Sequence, residues 1–171
     1  MVPIPRFEVE QWMDKYETTP HVLNIAETCA ASISIDELRG LSNDKSRSPI
    51  DTSTVLTYGA IRGSEGLRAL IAEHHGGEDL TANNVIIAQG AISANFLTLF
   101  TLLGAGDHVV CVYPTYQQLY SVPGSLGAEV SLWKLREENG FVPDVSELSG
   151  LVRDNTKVRN VSPERTCSPD L

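Results

Sequence analysis

The sequence predicts an α/β fold built on a mostly parallel sheet. Three observations carry this expectation. Short strand-like runs rich in apolar residues stand at Val85–Ala88, His108–Tyr113 and about Ala128–Trp133. Helix-like segments alternate with them, which indicates parallel βαβ units with both sheet faces covered. Gly104 and Gly127 stop the two intervening helices, where a glycine past the last periodic residue is the usual helix end.

Taken in order, Pro5 to Glu17 holds Phe7, Trp12, Met13 and Tyr16 among acidic and polar residues, a short amphipathic helix with Pro5 near its first turn. It either packs on its own domain or reaches a partner subunit. Ser34-Ile35-Asp36-Glu37 has capping-box spacing and opens a helix to about Leu41; the polar stretch Ser42–Ser53, with Pro49, is a loop. A helix over Ser64–His75 places Leu67, Leu70 and Ile71 on one face and ends at Gly76-Gly77. After the run Val85–Ala88 come Gln89-Gly90, an apolar helix to Leu103, a strand over His108–Tyr113 ended by Pro114, a helix over about Gln117–Leu126, and a strand over about Ala128–Trp133. Asp144-Val145-Ser146-Glu147 resembles a second capping box, giving a helix to about Val152, and Asp154-Asn155-Thr156 turns into a further strand.

Composition narrows the function. The chain has 171 residues, a formal charge of −9, 42% hydrophobic and 20% charged residues. Such an acidic balance argues against nucleic acid or an anionic membrane as partner, yet leaves room for a local anion pocket of backbone N–H groups. There is neither an apolar run of bilayer length nor a signal-peptide pattern, so a cytoplasmic protein is expected. Cys29, Cys111 and Cys167 are far apart and suggest neither zinc nor a disulfide framework; Cys111, in an apolar run, is expected to be a buried thiol.

Three segments can carry chemistry. At the junction Gln89-Gly90-Ala91-Ile92 a helix N-terminus offers free N–H groups and a positive dipole end, and Gly90 lets a ligand approach the backbone; an ordinary tight turn is the alternative. Pro114-Thr115-Tyr116 stands at the carboxyl end of a strand, where ligands of open α/β sheets sit, and Tyr116 can either stack on a flat heteroaromatic ring or pack on the following helix. Thr57-Tyr58-Gly59, before Gly63 and Leu67-Arg68, is either a turn or a loop that presents a hydroxyl to phosphate.

In this order and spacing, Tyr58-Gly59-x-x-x-Gly63 with Leu67-Arg68, then Val85–Ala91, then Gly106-Asp107-His108-Val109-Val110 and Pro114-Thr115-Tyr116, the chain resembles the class I/II aminotransferases of the pyridoxal-phosphate (PLP) fold type I. The likeness covers about Val55 to Lys157 and extends loosely to the N-terminus, where it is similar to the capreomycidine-synthase-like branch. It implies a PLP enzyme moving an amino group between an amino acid and a 2-oxo acid, homodimeric when full length, on a three-layer αβα large domain of which only the N-terminal portion is present. Gly90, Ala91 and Ile92 match the loop whose amides hold the cofactor phosphate, Ile92 standing where many relatives have a polar side chain. Tyr116 matches the aromatic that stacks on the pyridine ring, and Tyr58 the tyrosine that reaches the neighbouring subunit's phosphate. Asp107 is expected to cap a turn; His74, His75 and His108 match no catalytic position. On this likeness residues 1–54 are an N-terminal arm with part of the small domain, 55–157 the start of the large domain, and 158–171 a divergent, disordered tail.

Catalysis with PLP needs a lysine for the Schiff base and an acid to keep the ring nitrogen protonated. The family supplies both from later in the chain. Here Lys15, Lys45, Lys134 and Lys157 are the only lysines, none in such a context, so the expectation is a chain cut off before the catalytic lysine, with no catalytic residue of its own and no activity. The first large-domain strand is also expected to lack its sheet partner, which the family contributes from late in the sequence. Alternatives are a fragment of a carbon–sulfur lyase or a cyclase on the same scaffold, and a non-catalytic partner of a full-length relative. A nucleotide-binding Rossmann domain is disfavoured by the single glycine in its first turn.

Overall fold

The structure is a computed structural model and describes residues 4–23, 25 and 29–160. The chain divides into two units, residues 16–86 and residues 1–15 together with 87–171.

The unit of residues 16–86 is helical. After α1 (Glu8–Tyr16), which begins in the other unit, come α2 (Ile35–Leu41) and α3 (Glu65–His75). The expected capping box opens α2: the Ser34 hydroxyl accepts from the Glu37 amide at 3.1 Å, and the Glu37 carboxylate accepts from the Ser34 amide at 2.7 Å. These bonds hold the Glu37 carboxyl below its ordinary range. Ser64 caps α3, and Gly76, at φ +68°, ends it. Arg68 fastens the turn before α3 to the 3₁₀ turn Ala82–Asn84, its Nε donating to Gly63 O at 3.1 Å and its Nη1 to Ala82 O.

The second unit follows the α/β pattern. It contains α4 (Gly90–Leu102), β1 (His108–Tyr113), α5 (Gln118–Ser125), β2 (Glu129–Lys134), α6 (Val145–Leu151) and β3 (Thr156–Asn160). The strands form one parallel sheet in the order β2-β1-β3. Alternate residues of β1 serve two cores. Val109 joins Leu99 of α4 and Leu103 just after it, Val122 of α5 and Ala128, with Val158 of β3 against them. Val110 and Val112 join Trp133 of β2, with Leu148 and Leu151 of α6 against them. Helices therefore cover both faces, and this accounts for the unbroken burial of β1 from His108 to Val112. Burying each such Val or Leu stabilises the layer by about 1.5–3 kcal/mol. The Tyr113–Pro114 bond is cis.

Two expectations need correction and one boundary moves. Val85–Ala88 is not a strand of the sheet: Val85 is extended, at φ −111° and ψ 134°, but no described strand lies beside the run. Apolar composition gives a chain its extended preference, whereas a strand exists only by its ladder of hydrogen bonds. Asp144 caps α6 by accepting from the Ser146 amide at 2.9 Å, but the reciprocal half of a capping box is missing because Glu147 pairs with Arg136 at 3.0 Å. Finally, β3 runs to Asn160, three residues into the segment assigned to the tail, since Val158 is packed on the first core and Val158 to Asn160 are in register with Val109 to Cys111. Residues 161–171 lie outside the described residues.

Cys111 is buried, as expected, and burial pushes its thiol up to about 11. Asp107 has the structural role expected of it. Its Oδ2 accepts from the Gly104 amide at 2.9 Å and its own amide donates to Gly104 O at 3.2 Å, closing the turn into β1.

Candidate cofactor site

Of the three candidate segments that the sequence assigns to the large-domain portion, the structure places two, at Gly90–Ile92 and at Tyr116, in the same unit. α4 begins at Gly90, which takes φ +75°, a backbone state that favours glycine. A β-carbon there would meet nothing within 4 Å, so the approach to this turn is open. The first N–H groups of a helix lack intrahelical acceptors. The Gly90 amide is engaged, donating to Ala88 O at 3.0 Å. The amides of Ala91 and Ile92 have no acceptor among the described residues, and Gln89 makes no side-chain capping bond. No acidic side chain lies in this first turn to oppose an anion. The turn thus presents two adjacent donors and a positive dipole end, a donor set that fits a phosphate.

Tyr116 follows β1 at its carboxyl end and is half-buried. It does not simply pack on the helix that follows. Its ring meets Phe7 edge to face, with centroids 5.2 Å apart and planes at 72°, and its hydroxyl donates to Glu10 Oε1 at 3.1 Å. Burial, then the bond and charge of Glu10, raise the phenol above its ordinary range. Gln118, 4% exposed, ties this segment to the α4 turn by donating from Nε2 to Ile92 O at 2.8 Å. One short link therefore joins the two candidate segments.

Tyr58 belongs to the other unit and is fully exposed. Sequence reasoning missed Phe7, Glu10 and Gln118 as neighbours of the site. The first two lie more than a hundred positions from Tyr116, and nothing local in the sequence signals such a contact. Of the histidines, His108 is fully buried within the sheet: its Nδ1 shares a hydrogen with Thr156 Oγ1 at 2.8 Å and its Nε2 with Ser131 Oγ at 2.9 Å. Desolvation, then the charge of Arg153, lowers its pKa, against a smaller opposite pull from Glu129. Among the described residues no group of three metal-ligating side chains occurs, and no helix is long and apolar enough to cross a membrane.

Comparisons with known proteins identify the family and the fold. A family model described as aminotransferase class I and II matches residues 39–162, well over half of the chain. The arginine–pyruvate transaminase of Pseudomonas aeruginosa is 34% identical over 103 residues, 58% of this chain and 26% of that protein. The capreomycidine synthase of Streptomyces vinaceus is 31% identical over 96 residues, 56% of this chain and 24% of that protein. A crystal structure of a PLP-dependent aminotransferase from Streptococcus suis superposes with a TM-score of 0.80 at 38% identity, covering 91% of this chain and 41% of that one. The chain thus spans about a quarter of the length of these curated relatives. Its layered α/β architecture is that of the PLP fold type I large domain.

Proposed function

Because the chain belongs to the class I and II aminotransferase family, we propose that its α/β unit holds pyridoxal phosphate in a protein that moves an amino group between an amino acid and a 2-oxo acid. The observation that carries this is the open α4 turn tied through Gln118 to the Tyr116 segment at the carboxyl end of β1. The amides of Ala91 and Ile92 would hold the phosphate, and Tyr116 would lie against the ring. When bound, the cofactor supplies an electron sink for charge developing at an amino-acid α-carbon. Everything the chain contributes to that chemistry is binding and orientation: two amides fix one end of the ligand and one aromatic fixes its plane.

These 171 residues supply a cradle without a catalytic lysine. Lys157 lies 3.4 Å from Asp107 at the amino end of the sheet, and Lys45 donates to Gly40 O in the other unit. Lys134, at the carboxyl end of β2 opposite Tyr113, is on the side of the site but does not stand in the sequence context of the family's catalytic lysine, so the chain by itself is taken to be inactive in amino-group transfer. Tyr58, exposed as it is, suits a contact across a homodimer, in a full-length form or with a full-length relative, and a cytoplasmic setting completes the proposal. The relatives include an arginine–pyruvate transaminase and a capreomycidine synthase, and the likeness favours neither branch.

The test is equilibrium dialysis of the 171-residue chain with pyridoxal phosphate and, in parallel, pyridoxal. Tighter binding of the phosphorylated form supports the cradle, and equal binding of the two would remove it.

A further inference from the structure

The N-terminal segment does more at Tyr116 than a packing arm requires. Its backbone is fixed at two points by one side chain: Gln117 Nε2 donates to Arg6 O at 2.7 Å, and Gln117 Oε1 accepts from the Glu8 amide at 3.0 Å. Those bonds alone would anchor the arm. Two more contacts bear on the next residue, the Phe7 ring at 5.2 Å and the Glu10 carboxylate at 3.1 Å from the Tyr116 hydroxyl. A tyrosine at a strand end can rotate about two side-chain bonds. An edge-to-face neighbour restricts its tilt, and a bond at the hydroxyl fixes where the far end of the ring points. Donation to a carboxylate also leaves the phenol richer in electrons, which favours stacking against an electron-poor ring.

We infer that Phe7 and Glu10 are positioning residues that set the plane of Tyr116 for a heteroaromatic ligand at the carboxyl end of β1. The inference rests on the cofactor role given to Tyr116 above. It gives the N-terminal arm a task within its own unit, independent of any reach toward a partner.

The experiment is circular dichroism in the absorption band of pyridoxal phosphate, bound at saturation to the 171-residue chain. The free cofactor is achiral and acquires such a band only in a chiral surrounding, and at complete occupancy the amplitude is sensitive to how the ring is held. Wild type is expected to show the band and Tyr116→Ala to lose it. Phe7→Leu, Glu10→Ala and Tyr116→Phe should each lower it, while Glu10→Gln, which keeps an acceptor oxygen, retains most of it. Glu10→Ala combined with Tyr116→Phe should fall no further than either alone, because both remove the same bond. Far-ultraviolet spectra establish that each variant is folded. If Tyr116→Ala loses the band while Glu10→Ala and Phe7→Leu keep the wild-type amplitude, the positioning role is overturned and the cofactor role of Tyr116 stands. If wild type shows no band, or Tyr116→Ala keeps it, the cofactor role fails and the positioning role with it.

Discussion

Replacing Ala91 with proline removes one phosphate donor and little else. Proline is tolerated in the first turn of a helix, where the N–H it lacks has no intrahelical acceptor, and Gly90 before it has no β-carbon to meet the ring. A hydrogen bond to a charged group contributes about 1.5–3 kcal/mol. Since about 1.4 kcal/mol is a factor of ten, Ala91→Pro should raise the Kd for pyridoxal phosphate roughly 10- to 100-fold. Pyridoxal, without the phosphate, should bind wild type and variant alike. Equilibrium dialysis with both ligands reads the difference, and Ala91→Gly, which keeps the amide, should stay near wild type. A folded Ala91→Pro chain that binds pyridoxal phosphate as tightly as wild type would show that the phosphate does not rest on this amide.

Three further outcomes are expected. Borohydride reduction in the presence of pyridoxal phosphate, followed by peptide mapping, should label no single lysine stoichiometrically; such a label, at Lys134 on the carboxyl edge of β2 for instance, would refute the assignment of the chain as a cradle without a catalytic lysine. Leu99→Ala, in the core between α4 and β1, should cost about 2–5 kcal/mol in urea unfolding, whereas Leu97→Ala, 54% exposed on the same helix, should stay within about 0.5 kcal/mol. His108 is held below its ordinary value of 6.5 in the folded chain, so the unfolded chain takes up the proton first. Its contribution is complete above that value and is lost as the pH falls toward the folded value; His108→Asn should flatten this part of the stability profile, and an unchanged slope would show that the buried imidazole is not its source.

How much of this was legible in the sequence depends on how far each feature reaches along the chain. The Ser34–Glu37 box lies within four residues, and both of its bonds form. The box expected at Asp144 has the same spacing, but Arg136 competes for Glu147, and a pattern of spacing does not register a competitor from outside it. β1 and β2 could be placed from their apolar runs because each finds a neighbour. Val85–Ala88 has the same composition and finds none among the described strands, although the loss of a sheet partner could be anticipated from family likeness. At the site, the backbone donors of Ala91 and Ile92 follow from a strand–glycine–helix pattern. The Phe7, Glu10 and Gln118 side chains that surround Tyr116 and the turn depend on tertiary approach, which local patterning does not encode.

The placement of His108 also bears on the order in which the sheet assembles. Its two side-chain bonds close loops of unequal length, 23 positions to Ser131 of β2 and 48 to Thr156 of β3. A loop twice as long costs about 0.6 kcal/mol more in chain entropy. The shorter βαβ closure therefore forms first, and β3, which follows β2 in the chain, docks on a pair already in place. A deuterium pulse early in refolding should then find the β1–β2 amides protected ahead of those of β3. The imidazole that joins all three strands would be completed on one side before the other, which makes Thr156 the late contact of the sheet.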